Sequence, residues 1–200
     1  MKAGYRGGFH YITQKRGGLL RAIFVFYSRM RWMMREQWQR DLPFEELLFD
    51  RWERASSLGF GEGTSIYHNS YVYGDVKVGK NTWVGPFTLL DGSGGLEIGS
   101  NCSISAGVHI YSHDTVRWAL SGGKAAYERA AVKIGDCCHI GSGAVIVKGI
   151  SIGDYCVVGA LALVNRDIPS YSIAVGIPCR VIGQVIVDQD GRVDFLYNDK

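Results

Sequence analysis

An aliphatic residue returns every six positions along most of this chain, and few folds can use that interval. From residue 66 the beat runs Ile66, Val72, Val78, Val84 and Leu90, slips by two, and continues through Ile98, Ile104 and Ile110. After an interruption it resumes with Ile134, Ile140, Ile146, Ile152, Val158 and Val164. Six is neither the 3.6-residue period of a helix nor the alternation of an ordinary strand. Repetition at a fixed short period is the mark of a solenoid, in which each turn buries its apolar side against the next.

The other positions of the repeat agree. The residue after the anchor is often glycine (Gly79, Gly99, Gly135, Gly141, Gly153), as a corner needs where φ is positive or where backbones come close. The residue four after the anchor is small or slim: Ser70, Val76, Thr82, Thr88, Cys102, Val108, Cys138, Ala144, Cys156 and Ala162. Both sets point inward, stacked on their equivalents in a narrow core. This phase accounts for the conspicuous run Cys137-Cys138-His139. Cys138 falls at the small inward position, where a free thiol behaves as a small hydrophobe. Cys137 falls on a corner and His139 faces outward. A metal-binding pair would ordinarily carry spacer residues that let both sulfurs converge.

The repeat, with "VKIGDCCHIGSGAVIVKGISIGDYCVVGALALVNRDIPSYSIAVGIPCRVIG" at its end, resembles the hexapeptide-repeat acyltransferases. Within them it is similar to the maltose/galactoside-acetyltransferase and surface-polysaccharide O-acetyltransferase branch. The resemblance covers about residues 60 to 183. It implies an all-β solenoid, a left-handed parallel β-helix of three short sheets, and a homotrimer. It also implies acetyl-CoA as co-substrate, with no metal. The handedness comes from the resemblance alone, since crossovers between parallel strands are usually right-handed.

The interruption, residues 111–133, leaves the hydrophobic discipline of the repeat, and so long a loop in a compact domain is usually functional. The resemblance places a general base at its start, and His113 stands at the matching position. A neutral imidazole can take the proton of a sugar hydroxyl as the oxygen attacks the thioester. Asp114, or another carboxylate such as Asp91, is available to orient the ring. Tyr111, Trp118, Lys124 and Asp91 are the candidates for meeting the acceptor: an aromatic ring can stack on a sugar, and a lysine can meet an anionic group. Trp118 can equally pin the loop to the coil.

For the acyl donor, the family lays the pantetheine arm along the coil edge between subunits, and the matching positions are Ser142 and Ala160. The basic residues of its Thr-Lys-Asp-Ile-Pro and Gly-x-Pro-Ala-Arg segments are matched by Arg166 in "NRDIP" and Arg180 in "GIPCR". Guanidinium groups suit CoA phosphates because they bind bidentately and stay charged. Leu161 and Ala162 replace the family's Gly-Ser, Cys179 replaces an alanine, and His139 stands where tryptophan is common.

Charge is unevenly placed. Up to Arg40 there are nine basic residues, Lys2, Arg6, Lys15, Arg16, Arg21, Arg29, Arg31, Arg35 and Arg40, against one acid, Glu36. Residues 19–40 read as a basic amphipathic helix, which either packs on the coil or a sister subunit, or lies on an anionic membrane and brings the enzyme to a lipid-linked sugar. No nucleic-acid motif accompanies the charge. "FEELLFDRWERASSLGFG" reads as a second helix ending near Gly59 that covers the first turn. "QVIVDQDGRVDFLY" reads as a hairpin about Asp190-Gly191. The expected division is therefore a helical segment 1–58, a β-helix 59–183 and a tail 184–200. With no spanning helix, no secretory leader and five cysteines in no disulfide framework, the expectation is a cytoplasmic protein, with the membrane contact as an option.

The reading is an O-acetyltransferase acting on a sugar hydroxyl in bacterial surface-polysaccharide (lipopolysaccharide or capsule) biosynthesis, by direct transfer in a ternary complex. A nucleotide-sugar N-acetyltransferase is its close variant. A zinc hydratase of the carbonic-anhydrase type would draw on His68, His109, His113 and His139, and metal analysis separates it. A catalytically dead scaffold would bind no CoA.

Overall fold

The beat is built as a stack of parallel ladders. In the computed structural model, which describes residues 18–198, Ile66 lies opposite Val84, Val84 opposite Ile104, Ile104 opposite Ile140 and Ile140 opposite Val158. A second face aligns Leu90, Ile110, Ile146 and Val164, and a third aligns Ile98, Ile134 and Ile152. Every one of these anchors is buried. Each fully buried aliphatic side chain contributes roughly 1.5–3 kcal/mol relative to exposure, so the column of anchors is the main source of stability.

The corners resolve a choice that the sequence left open. Positive φ falls three residues after the anchor, at Asn81 (53°), Asn101 (56°), Cys137 (57°), Tyr155 (56°) and Leu161 (59°). The glycines directly after the anchors are required for space instead. A Cβ on Gly99 would sit 2.6 Å from the carbonyl carbon of Gly135 one turn on, and one on Gly141 would sit 2.5 Å from the backbone nitrogen of Ala160. Backbone touches backbone there, and no rotamer can relieve it.

The small inward column does more than fill space. Thr64 and Thr82 donate their hydroxyls to the carbonyls of Gly79 and Gly99 on the next turn, at 2.7 and 2.9 Å. Cys102, Cys138 and Cys156 continue the series with their thiols, to Gly135, Gly153 and Pro169, at 3.1, 3.1 and 3.0 Å. The neighbouring thiols of Cys102 and Cys156, together with burial, push the Cys138 thiol up, so it stays protonated. Cys138 is thus a buried donor in a ladder, and Cys137 beside it is a corner residue.

The chain divides into two units, Met1–Asp50 and Arg51–Lys200. In the second, helix Arg51–Ser57 belongs with the coil. Ala55 and, after the helix, Phe60 join its core, and the Arg54 guanidinium donates to the carbonyls of Tyr67 and Ser70. At the other end Ser172–Val175 runs parallel to Val157–Val158 but antiparallel to Arg180–Val187. That strand pairs with Val193–Tyr197 in a hairpin whose turn includes Gly191 at φ 76°.

In the first unit, helix Leu19–Trp38 stops at Gln39, which takes the left-handed conformation. Asp41 then pairs with Arg31, at 2.5 Å, and with Arg35. Tyr27 meets Phe44 edge-on at 5.6 Å. The segment that reads as one helix to Gly59 is two, Phe44–Leu48 and Arg51–Ser57, because Phe49 turns extended between them. Lys2, Arg6, Lys15 and Arg16 of the basic head, and the last two residues of the tail, lie outside the described residues.

Candidate active site

Two departures from the beat build the site. The first is the two-residue slip, "LLDGSGGLEI", where a strand runs from Leu89 to Ile98 although most strands of the coil have two residues. The extra residues fold round the carboxylate of Asp91, which is only 1% exposed. One oxygen accepts the backbone N–H of Ser93 at 2.9 Å; the other accepts that of Ser112 at 3.0 Å and meets Nδ1 of His113 at 2.5 Å. Gly94 donates its N–H to the Ser112 hydroxyl at 2.7 Å, and a Cβ at Gly94 would lie 2.3 Å from the Ser112 carbonyl oxygen.

The second is the excursion. Its base is a short antiparallel pair, His113–Asp114 against Glu128–Arg129, with helix Val116–Leu120 between. Burial alone would raise the Asp91 carboxyl, but hydrogen bonds from Ser93, His113 and Ser112 outweigh it and hold it down at about 2. The carboxylate is therefore ionised at neutral pH and can only accept, which fixes the proton of a neutral His113 ring on Nδ1 and leaves the Nε2 lone pair free. His113 lines a cleft of about 610 Å³ with Tyr111, Asp114, Thr115, Val116, Val147 and Lys148.

Of the two carboxylates that could orient the ring, Asp91 makes the contact, and its burial takes it off the acceptor wall on which the sequence also placed it. Asp114 turns to Lys148 and accepts the N–H of Val116 at 3.1 Å, and the lysine holds its carboxyl below the usual range. Tyr111 lines the cleft, its hydroxyl 3.2 Å from Nδ1 of His109. Tyr127 stacks on the His113 ring at 6.4 Å, and Trp118 packs edge-on against Tyr127 at 5.6 Å. Trp118 therefore braces the histidine through Tyr127 and does not line the cleft. Lys124 is exposed and outside the lining. Lys148, which the sequence reading did not single out, pairs with Asp114 and lies 3.0 Å from Glu128; nothing in its spacing marks it.

Ser142 and Ala160 occupy equivalent exposed corners one turn apart, with the Leu161 N–H donated to the Ser142 carbonyl at 2.9 Å. Arg166 and Arg180 are exposed, and both lower the Cys179 thiol against the larger upward push of burial. Among the described residues, no three His, Cys, Asp or Glu side chains gather so as to hold a metal ion.

The chain's repeats match two family models, "Bacterial transferase hexapeptide (six repeats)" over residues 131–166 and "Hexapeptide repeat of succinyl-transferase" over 75–112. Among curated proteins it is similar to serine acetyltransferase 5 of Arabidopsis thaliana, 45% identical over 101 residues. That stretch is 50% of this chain, and the chain spans only 31% of that relative. Among solved structures it is similar to galactoside acetyltransferase in complex with coenzyme A (TM-score 0.54, 23% identity, 89% of this chain and 90% of that one). It is also similar to AntD, an N-acyltransferase from Bacillus cereus, in complex with dTDP and 3-hydroxybutyryl-CoA (TM-score 0.53, 21% identity, 67% and 89%). The solenoid is thus a hexapeptide-repeat left-handed β-helix. The family-model matches fall within the coil, and the solved structures share its fold.

Proposed function

We propose that the protein transfers an acetyl group from acetyl-CoA to a sugar hydroxyl, on an acceptor destined for bacterial surface polysaccharide such as lipopolysaccharide or capsule. The observation that carries this reading is the contact of His113 with buried, ionised Asp91 at the wall of an open cleft. His113 Nε2 takes the proton of the acceptor hydroxyl as its oxygen attacks the thioester carbonyl. The carbon–sulfur bond breaks, and the imidazolium returns the proton to the departing thiolate. Asp91 stabilises the imidazolium while it lasts and keeps the ring turned. Such a base accounts for about 10²–10⁴-fold of rate.

Ser142 and Ala160 would carry the pantetheine arm, and Arg166 and Arg180 the phosphates, in a cytoplasmic homotrimer. The family resemblance supports the trimer, and a solution mass of three chains is the expected result. Helix Leu19–Trp38 presents Val25, Phe26, Trp32 and Met33 to solvent alongside its arginines, which supports contact with an anionic membrane and a lipid-linked acceptor. Sedimentation with anionic but not neutral vesicles tests that part. No helix among the described residues is long and apolar enough to cross a membrane.

The deciding experiment measures thiol release from acetyl-CoA against a panel of free, nucleotide-linked and lipid-linked sugars, with the product's acetylated atom located by mass spectrometry and NMR. Ester formation, lost by about 10²-fold or more in His113→Ala while melting temperature and CoA affinity hold, is the expected result. Amide formation on a nucleotide-linked amino sugar would replace the hydroxyl acceptor by an amine at the same base. Undiminished turnover in His113→Ala would defeat the assignment.

A further inference from the structure

His113 is held on one side by Asp91, and the structure assigns a second holder on the other. Asp114 and Glu128 lie directly opposite each other across the antiparallel base of the excursion. Two like charges in that relation push the strands apart. Lys148, from the corner that follows strand Val145–Ile146, reaches both: its ammonium pairs with Asp114 and lies 3.0 Å from Glu128. Arg117 also meets Glu128, at 2.5 Å, but its side chain is 78% exposed and its attraction is screened, whereas that of Lys148 is 25% exposed.

We propose that Lys148 is a positioning residue: by neutralising Asp114 and Glu128 together it keeps the base of the excursion closed and so keeps His113 aimed into the cleft. Asp91 fixes the ring from the preceding side of the excursion and Lys148 fixes the backbone from the following one. As a statement about catalysis this rests on the acetyl-transfer reading; as a statement about the clamp it does not.

The test therefore has two arms on the full chain. In the first, amide hydrogen exchange at residues 112–114 and 128–130 is compared in wild type, Lys148→Met, Lys148→Arg and the double variant Lys148→Met/Glu128→Gln. Methionine keeps most of the aliphatic stem and removes the charge. We expect exchange about tenfold faster in Lys148→Met, restoration in Lys148→Arg, and substantial restoration in the double variant, where no like-charge pair remains. Unfolding midpoints should stay close to wild type throughout, since the base opens locally.

In the second arm, Lys148→Met should lower kcat about tenfold with KM for acetyl-CoA within about twofold, and the same two rescues should follow. Unchanged exchange in Lys148→Met, or a double variant no better than the single one, would overturn the clamp. A raised acceptor KM with normal kcat and normal exchange would instead make Lys148 a direct acceptor contact, and would overturn it too. Should the exchange results hold while wild type acetylates nothing, the acetyl-transfer reading fails and the clamp stands.

Discussion

Replacing Asp91 by asparagine tests the site at its most buried point. The carboxylate serves three donors, the N–H groups of Ser93 and Ser112 and the ring of His113, with two acceptor oxygens. Asparagine offers one oxygen, so its amide nitrogen must face at least one donor. The carboxyl titrates at about 2 in the folded protein against an ordinary 3.8, a gap worth roughly 2 kcal/mol at neutral pH. An unsatisfied buried donor adds about 1–3 kcal/mol, so the variant should lose roughly 3–5 kcal/mol near pH 7. Because the folded value is depressed, the ionic part is fully present above pH about 4 and disappears as pH falls through about 2. Urea unfolding of both proteins at a series of pH values should therefore show their difference shrinking toward acid. Turnover should fall by about 10²–10⁴, as the ring loses its fixed tautomer, with KM for acetyl-CoA unchanged. A stability difference equal at pH 3 and pH 7, or full turnover in the variant, would refute the argument that an ionised Asp91 orients the base.

Gly99→Ala should cost about 1–3 kcal/mol in denaturant unfolding, since its Cβ would lie 2.6 Å from the backbone of Gly135 and only a shift of the turns relieves it. Cys138→Ala should cost about 1–2 kcal/mol, because it removes a buried thiol donor to the Gly153 carbonyl, and should leave turnover intact. Arg166→Gln and Arg180→Gln should each raise KM for acetyl-CoA several-fold while kcat with saturating donor holds, which steady-state kinetics reads directly.

The fold was legible because Ile66 to Val164 repeat on a beat that only stacked turns can bury. The corner chemistry was half legible. Asn81 and Asn101 three residues after their anchors are a recognisable left-handed signal, but Cys137, Tyr155 and Leu161 at the same position are not, and of the two reasons the sequence offered for the glycines, positive φ or close approach, only close approach applies. His113 stood out by resemblance. Its partner Asp91 was signalled by the slip between Leu90 and Ile98, for two extra residues in a strict repeat need somewhere to fold, and they fold round that carboxylate. Lys148 gave no signal, because a lysine at an outward corner looks the same whether it meets water or two carboxylates brought from distant parts of the chain.

The charged contacts around the excursion reach in both directions along the stack: backward to Asp91 and forward to Lys148. That arrangement divides the molecule into parts with unequal freedom to change. Turns before residue 89 can be duplicated or deleted, lengthening or shortening the coil while the centre survives. A turn gained or lost between residues 89 and 148 would carry the two attachments out of reach of the imidazole, so growth of such a protein over evolutionary time, or in an engineer's hands, is confined to its N-terminal turns.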